Sequence, residues 1–322
     1  RNFPLAMPDP ALANRLYRSL NFIRRMEERI TEIYAEDKIK SPVHLAIGQE
    51  SVSVGVCDVL GAEDVVAGYY RSHALYLAKG GDPGRMMAEM YGKQTGCAAG
   101  KGGSMHLVGM EQNITGTSGV VGSHIPISLG FALEIKQTGR DNVVACFFGD
   151  GATEEGAFYE SLNFAALHDL PVLFVCENNG YAIHTPLAKR WASEDLCARV
   201  AGFGVPTVRI EDGDVFAIRE AAEAAVKKIR SGGGPRFIEC LVYRWREHVG
   251  PNEDYDAGYR SLDEVELWKK NDQVVRLAAM VDGDERAAID AEIEKEIEAA
   301  VAFAEESPVP EKKELWNNVF AD

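Results

Sequence analysis

Two apolar runs, Val143–Phe148 and Val172–Cys176, flank an acidic-headed helical stretch, and both end on polar residues. The first stops at Gly149-Asp150-Gly151; the second delivers Asn178-Asn179. A strand, a crossover helix and a second strand predict parallel pairing, with Asp150 and the asparagines at the carboxyl ends of neighbouring strands. Open parallel sheets bind ligands at those ends. One carboxylate and one amide oxygen there suit a hard, octahedral Mg²⁺ that is also held by a diphosphate. Standing alone, Asp150 would read as a turn or helix-capping residue; the asparagine pair after the next strand shifts the reading to a ligand.

The rest of the chain repeats the alternation. Residues 15–34 carry Leu16, Leu20, Ile23, Ile30 and Ile33 at helical spacing, with Arg24 and Glu28 at i,i+4. Helical patterns recur at 125–137 and at 214–230, the latter ended by Ser231-Gly232-Gly233-Gly234-Pro235, and RFIECLVY (236–243) reads as a buried strand. From Leu262 to about Glu306 the chain reads as helical. The expectation is an α/β fold: a parallel sheet covered by helices on both faces, with a helical C-terminal region. The whole of 1–322 reads as a single domain with an N-terminal helical arm (1–40) and a C-terminal helical extension (262–322). Residues 92–122 are rich in glycine and lack periodicity; a long loop of this kind in a compact domain points to function.

Charge narrows the partners. Net charge is −16, which argues against nucleic acid. No apolar stretch approaches a membrane span. None of the six cysteines forms CxxC, and Cys146, Cys176 and Cys240 lie inside apolar runs, so a reducing cytoplasm is expected. The chain begins at Arg1 without methionine, so residues upstream are expected.

Six motifs stand in order: GQES (48–51), YYRSH (69–73), GKGGSMH (100–106), GVVGSHIP (119–126), ENNGYAI (177–183) and YRWREH (243–248). Together with GDG and NN they resemble the alpha subunit of the thiamine diphosphate-dependent first component of 2-oxo acid dehydrogenases, of pyruvate, branched-chain or acetoin type. The resemblance implies thiamine diphosphate and Mg²⁺ as cofactors. It implies Asp150, Asn179 and the backbone carbonyl of Tyr181 as metal ligands, with Asn178 ordering the turn. It implies Tyr70, Arg71, Gly119, Val121, Gly151, Ala152, Arg244 and His248 around the cofactor, Gly151 and Ala152 opening the helix after the GDG turn. His73, His106 and His248 are the catalytic candidates; the roles of His124 and His184 stay open.

The resemblance further implies a separate beta subunit in an α₂β₂ assembly, which supplies the glutamate that activates the cofactor; Glu50 is therefore not that residue. A 2-oxo acid or acyloin would be cleaved and its acyl group passed to the lipoyl group of an acyltransferase core. Two departures stand out. Val249 occupies the position of the kinase-target serine of mitochondrial relatives, and REHVGPNED replaces the usual HGHSMSDP. The second keeps open a two-subunit thiamine-dependent carbon–carbon transferase acting on an aldehyde or sugar. A nicotinamide-binding Rossmann enzyme is disfavoured, because no GxGxxG follows a first strand.

Overall fold

The computed structural model describes residues 9–317 and Val319. Residues 1–8 of the expected N-terminal arm, and 318 and 320–322 of the expected extension, lie outside the described residues. In chain order the elements are α1 (Pro10–Ile33), α2 (Glu50–Cys57), β1 (Val65–Tyr69), α3 (His73–Ala78), α4 (Pro83–Met90), β2 (Ile114–Ser118), α5 (His124–Thr138), β3 (Val144–Gly149), α6 (Gly156–Leu167), β4 (Val172–Asn178), β5 (Tyr181–Ala182), β6 (Thr185–Pro186), α7 (Leu196–Ala201), β7 (Thr207–Ile210), α8 (Val215–Arg230), β8 (Arg236–Leu241), α9 (Leu262–Lys269), α10 (Gln273–Ala278) and α11 (Gly283–Glu306).

Six strands form one parallel sheet in the order β2-β1-β3-β4-β8-β7, and β5 and β6 make a small antiparallel hairpin. Side chains alternate across the sheet. Ala145, Phe147, Leu173, Val175 and Ile238 face a layer built from α1, α2 and α8. Val144, Cys146, Phe148, Val172, Phe174 and Phe237 face α5, α6 and α7. Burial on both faces explains why β3 and β4 read as continuous apolar runs. All six cysteines are free thiols, and no described helix is long and apolar enough to cross a membrane.

Three sequence expectations are refined or overturned. The stretch after Leu262 is three helices, because Asp272 and Asp282 cap new starts at α10 and α11. Arg24 does not pair with Glu28. It is buried, donates to Glu50 (2.5 Å) and Asp272 (3.0 Å), and leaves Glu28 to Arg25. An inward-facing guanidinium must find buried acids, whereas the i,i+4 rule describes exposed helix faces.

The third concerns residues 92–122, which hold the edge strand β2 and a loop wound around one carboxyl group. Glu89, fully buried at the end of α4, accepts hydrogen bonds from the N–H groups of Ala98, Gly100, Gly102 and Gly103 at 2.6–3.1 Å. A Cβ on Gly96 would stand 2.4 Å from Glu89 Oε2, and Gly100 and Gly103 have φ of +76° and +62°. These glycines let the backbone close on an acid. Glu89→Ala is expected to lower unfolding free energy by about 3 kcal/mol or more, since four buried donors lose their acceptor. Urea denaturation measures this, and limited proteolysis should show new cleavage in 96–103.

Candidate active site

The strand order reverses between β1 and β3: the chain leaves β1 for β2 on one side, then returns to β3 on the other. Such a switch point opens a crevice at the carboxyl ends. There β1 delivers Tyr70 and Arg71, β3 delivers Asp150, and β4 delivers Asn178 and Asn179. Gly149 of β3 pairs with Glu177 of β4, which brings Asp150 and the asparagines level. A cavity of about 170 Å³ lies between them.

Asp150 begins a 3₁₀ turn, Asp150–Glu154, closed by the Thr153 hydroxyl donating to the Asp150 carbonyl at 2.7 Å. Glu155 is extended, so α6 starts only at Gly156. Gly151 and Ala152 therefore line the cavity from a turn ahead of the helix and do not open it, as the sequence had suggested. The Asp150 carboxyl is 2% exposed. Burial pushes its pKa up, and the Arg190 guanidinium, ion-paired with it and with Glu154, pulls it back.

The two asparagines divide the work. Asn178 donates to Glu239 and accepts from Gly180 N–H, ordering the turn. Asn179 donates to Gln49 Oε1 (2.9 Å) and accepts from Tyr181 N–H (3.1 Å). Gln49 in turn donates to Glu177, which also accepts from the Tyr69 hydroxyl. The GQES motif thus fixes which way the Asn179 amide points. Burial pushes the Glu177 carboxyl up to about 7.

Arg71 is 2% exposed and donates to the carbonyls of Leu45 (2.7 Å) and His248 (3.0 Å); its Nε is buried in the cavity wall with no partner. His44, Tyr70 and His248 pack their rings together with centroids 4.5–5.6 Å apart. Burial, reinforced by Arg71, lowers His248 to about 3 and His44 to about 2, so both are neutral imidazoles. Val121, Tyr181 and His124 complete the wall, with His124 Nε2 2.8 Å from the Phe147 carbonyl.

Five residues singled out in the sequence are not part of this wall. His73 is sealed in the core, 3.1 Å from Glu27 and 2.7 Å from Ser104; its ring braces α1 against the glycine-rich loop and does not line the cavity, which corrects its catalytic assignment. His106 and Gly119 sit together at the rim: a Cβ on Gly119 would meet the His106 ring at 3.2 Å. Arg244 lies one layer behind, donating to the carbonyls of Ile183 and Arg246 and to Tyr259. His184 packs against Tyr259, ring centroids 4.5 Å apart, and does not itself line the cavity. Sequence reasoning missed His44, Gln49, Glu177 and Arg190. The acid preceding the asparagine pair was a readable signal for Glu177; Arg190 had none.

Comparison with known proteins decides the family. The sequence matches the dehydrogenase E1 component family over residues 18–313. It is 38% identical over 310 residues to the alpha subunit of acetoin:2,6-dichlorophenolindophenol oxidoreductase of Bacillus subtilis (strain 168), covering 95% of this chain and 92% of that one. It is 40% identical over 311 residues to the pyruvate dehydrogenase E1 component subunit alpha of Zymomonas mobilis, covering 94% and 87%. The corresponding subunit of Rhizobium meliloti is 38% identical over 310 residues, covering 94% and 88%.

The chain belongs to the dehydrogenase E1 component family. That family depends on thiamine diphosphate and Mg²⁺, and dehydrogenase subunits among the relatives favour the dehydrogenase expectation over the carbon–carbon transferase. The cavity of this E1 chain fits such a cofactor pair. Its oxygen donors, a carboxylate, an amide and a backbone carbonyl, are hard ligands too few to fill an octahedron, leaving positions for phosphate and water. The buried, unpartnered Arg71 Nε is a donor of the kind a phosphate accepts from.

A pH dependence follows from the two imidazoles. Their native pKa values lie below the ordinary value of 6.5, so the unfolded chain binds more protons below that pH. Stability is expected to be full above about pH 6.5 and to fall as pH drops toward 3. His44→Gln should flatten that acid limb in thermal unfolding between about pH 4.5 and 7.5; an unchanged slope would contradict the burial of His44.

Proposed function

We propose that this E1 chain is the alpha subunit of a two-subunit, thiamine diphosphate- and Mg²⁺-dependent dehydrogenase acting on a pyruvate-like 2-oxo acid or on acetoin. It works in an α₂β₂ assembly in the cytoplasm and passes the acyl group to a lipoyl acceptor. The observation that carries this reading is one cavity, at the switch point, walled by a buried carboxylate (Asp150), an oriented amide (Asn179) and a buried arginine with a free donor (Arg71).

Asp150, Asn179 and the Tyr181 carbonyl would hold the metal; Arg71, Tyr70 and the Gly151 and Ala152 N–H groups would hold the diphosphate. Bound thiamine diphosphate supplies the nucleophilic carbon and the electron sink for breaking a bond beside a carbonyl. The chain's own part is positioning and charge. Neutral His248, pinned by Arg71 through its backbone carbonyl, can donate to or accept from a substrate or phosphate oxygen without changing net charge. Arg244 would act at a distance by holding the Ile183 carbonyl and the 246–260 loop. Gly119, Val121 and His106 would form the rim toward the aminopyrimidine. The chain acts as one cofactor-binding domain, its first and last helices bracing each other through Arg18–Glu296 and Arg25–Glu294.

A cavity of about 170 Å³ is smaller than the roughly 300–1,000 Å³ of sites that enclose a whole small molecule. Val120, Val121 and Ile183 at its rim are 66%, 42% and 56% exposed. Both features support a site completed by a second chain.

The test is calorimetry of the chain co-purified with its beta partner. Wild type should bind thiamine diphosphate only with Mg²⁺. Asp150→Asn should weaken that binding at least ~10-fold with assembly intact, because it removes this chain's only carboxylate from the metal. His248→Ala should leave the thermal midpoint nearly unchanged and lower kcat by about 10² or more, the usual worth of a positioned proton donor or acceptor. Lipoyl-dependent NADH formation from pyruvate or acetoin identifies the substrate; normal cofactor affinity in Asp150→Asn would refute the site.

A further inference from the structure

The turn between β6 and α7 carries a second basic side chain to the cavity. Arg190 reaches back into the site with a side chain only 5% exposed. Its Nε donates to the Thr185 carbonyl at 3.0 Å, and its two terminal nitrogens form ion pairs with Asp150 and Glu154. The next residue anchors the segment: the Arg199 guanidinium lies 3.6 Å from the centroid of the Trp191 ring, which also packs edge-on to Tyr159. The two acids differ. Asp150 is enclosed, whereas the Glu154 side chain is 35% exposed.

We propose that Arg190 is a built-in counter-cation for Asp150 that Mg²⁺ must displace, with Glu154 as the acid that receives the displaced guanidinium. This rests on the assignment of Asp150 to the metal. A buried carboxylate needs a cation close by. A guanidinium and a divalent ion cannot both sit against it, since their repulsion is strong where water is excluded. Binding of metal and diphosphate therefore exchanges one cation for another, and Arg190 swings outward by the short step from Asp150 to Glu154 without losing its second ion pair. The exchange lowers apparent cofactor affinity by the fraction of molecules in which Arg190 is already displaced, and moves the 187–191 turn at the site's edge.

The experiment uses the co-purified two-subunit enzyme, with Mg²⁺ and thiamine diphosphate as the calorimetric probe. Arg190→Gln should tighten binding by about tenfold or more, and should lower the thermal midpoint of the cofactor-free enzyme while leaving that of the loaded enzyme nearly unchanged. Arg190→Lys should restore much of the competition. Glu154→Gln should weaken binding severalfold, because the displaced arginine loses its receiving acid. Weaker binding in Arg190→Gln would overturn the proposal by making Arg190 a ligand of the cofactor. Unchanged binding would overturn it by making the ion pair incidental; in both cases wild-type binding keeps the Asp150 assignment intact. Failure of wild type to bind would sink that assignment and this inference together.

Discussion

The site depends on one constraint: β3 and β4 are buried on both faces, so their side chains must be apolar until the strands end. Polar groups can emerge only at the carboxyl edge, and the pairing of Gly149 with Glu177 sets them level there. The reversal of strand order between β1 and β3 opens a crevice at the same edge. Burial thus creates the place, and strand register decides which residues occupy it.

Several charges taken into this interior are answered by close partners. Arg24 is held by Glu50 and Asp272, Glu89 by four backbone N–H groups, and Asp254 by Arg260 and Arg244. Buried pairs of this kind contribute little net stability over apolar packing, yet breaking one is costly. Their effect here is to fix loops that have few apolar anchors. The loop after β8 is the clearest case: Arg260 donates to the carbonyls of Arg244 and Arg246, and the Tyr255 hydroxyl to that of Trp245. This scaffold carries His248 to Arg71, across the cavity mouth from Asp150.

The chemistry of an E1 component needs charge where a cofactor sits and neutrality where protons move. In the proposed site Asp150 and Arg71 would supply the first, and the packed rings of His44, Tyr70 and His248 the second. The same burial produces both, since an acid can be compensated by an arginine within reach while an imidazole beside an arginine simply stays neutral. The apolar rim of Val120, Val121 and Ile183 marks where the chain's own enclosure stops.

Much was legible in the sequence, and for local reasons. The apolar runs ending at Gly149-Asp150-Gly151 and Asn178-Asn179, the helical periodicities and the ordered motifs determined a parallel sheet covered on both faces. They also located Asp150, Asn179 and the Tyr70-Arg71 pair, because strand ends and turn residues follow from neighbours in the chain. Tertiary structure alone decided the rest. It sealed His73 between Glu27 and Ser104, set Arg244 behind the wall, sent Arg24 to Glu50, and brought Arg190 to Asp150. It joined Arg71 to His248, 177 residues away. A buried charge or imidazole takes whatever partner the packing brings within hydrogen-bond reach, and no periodicity along the chain encodes that distance.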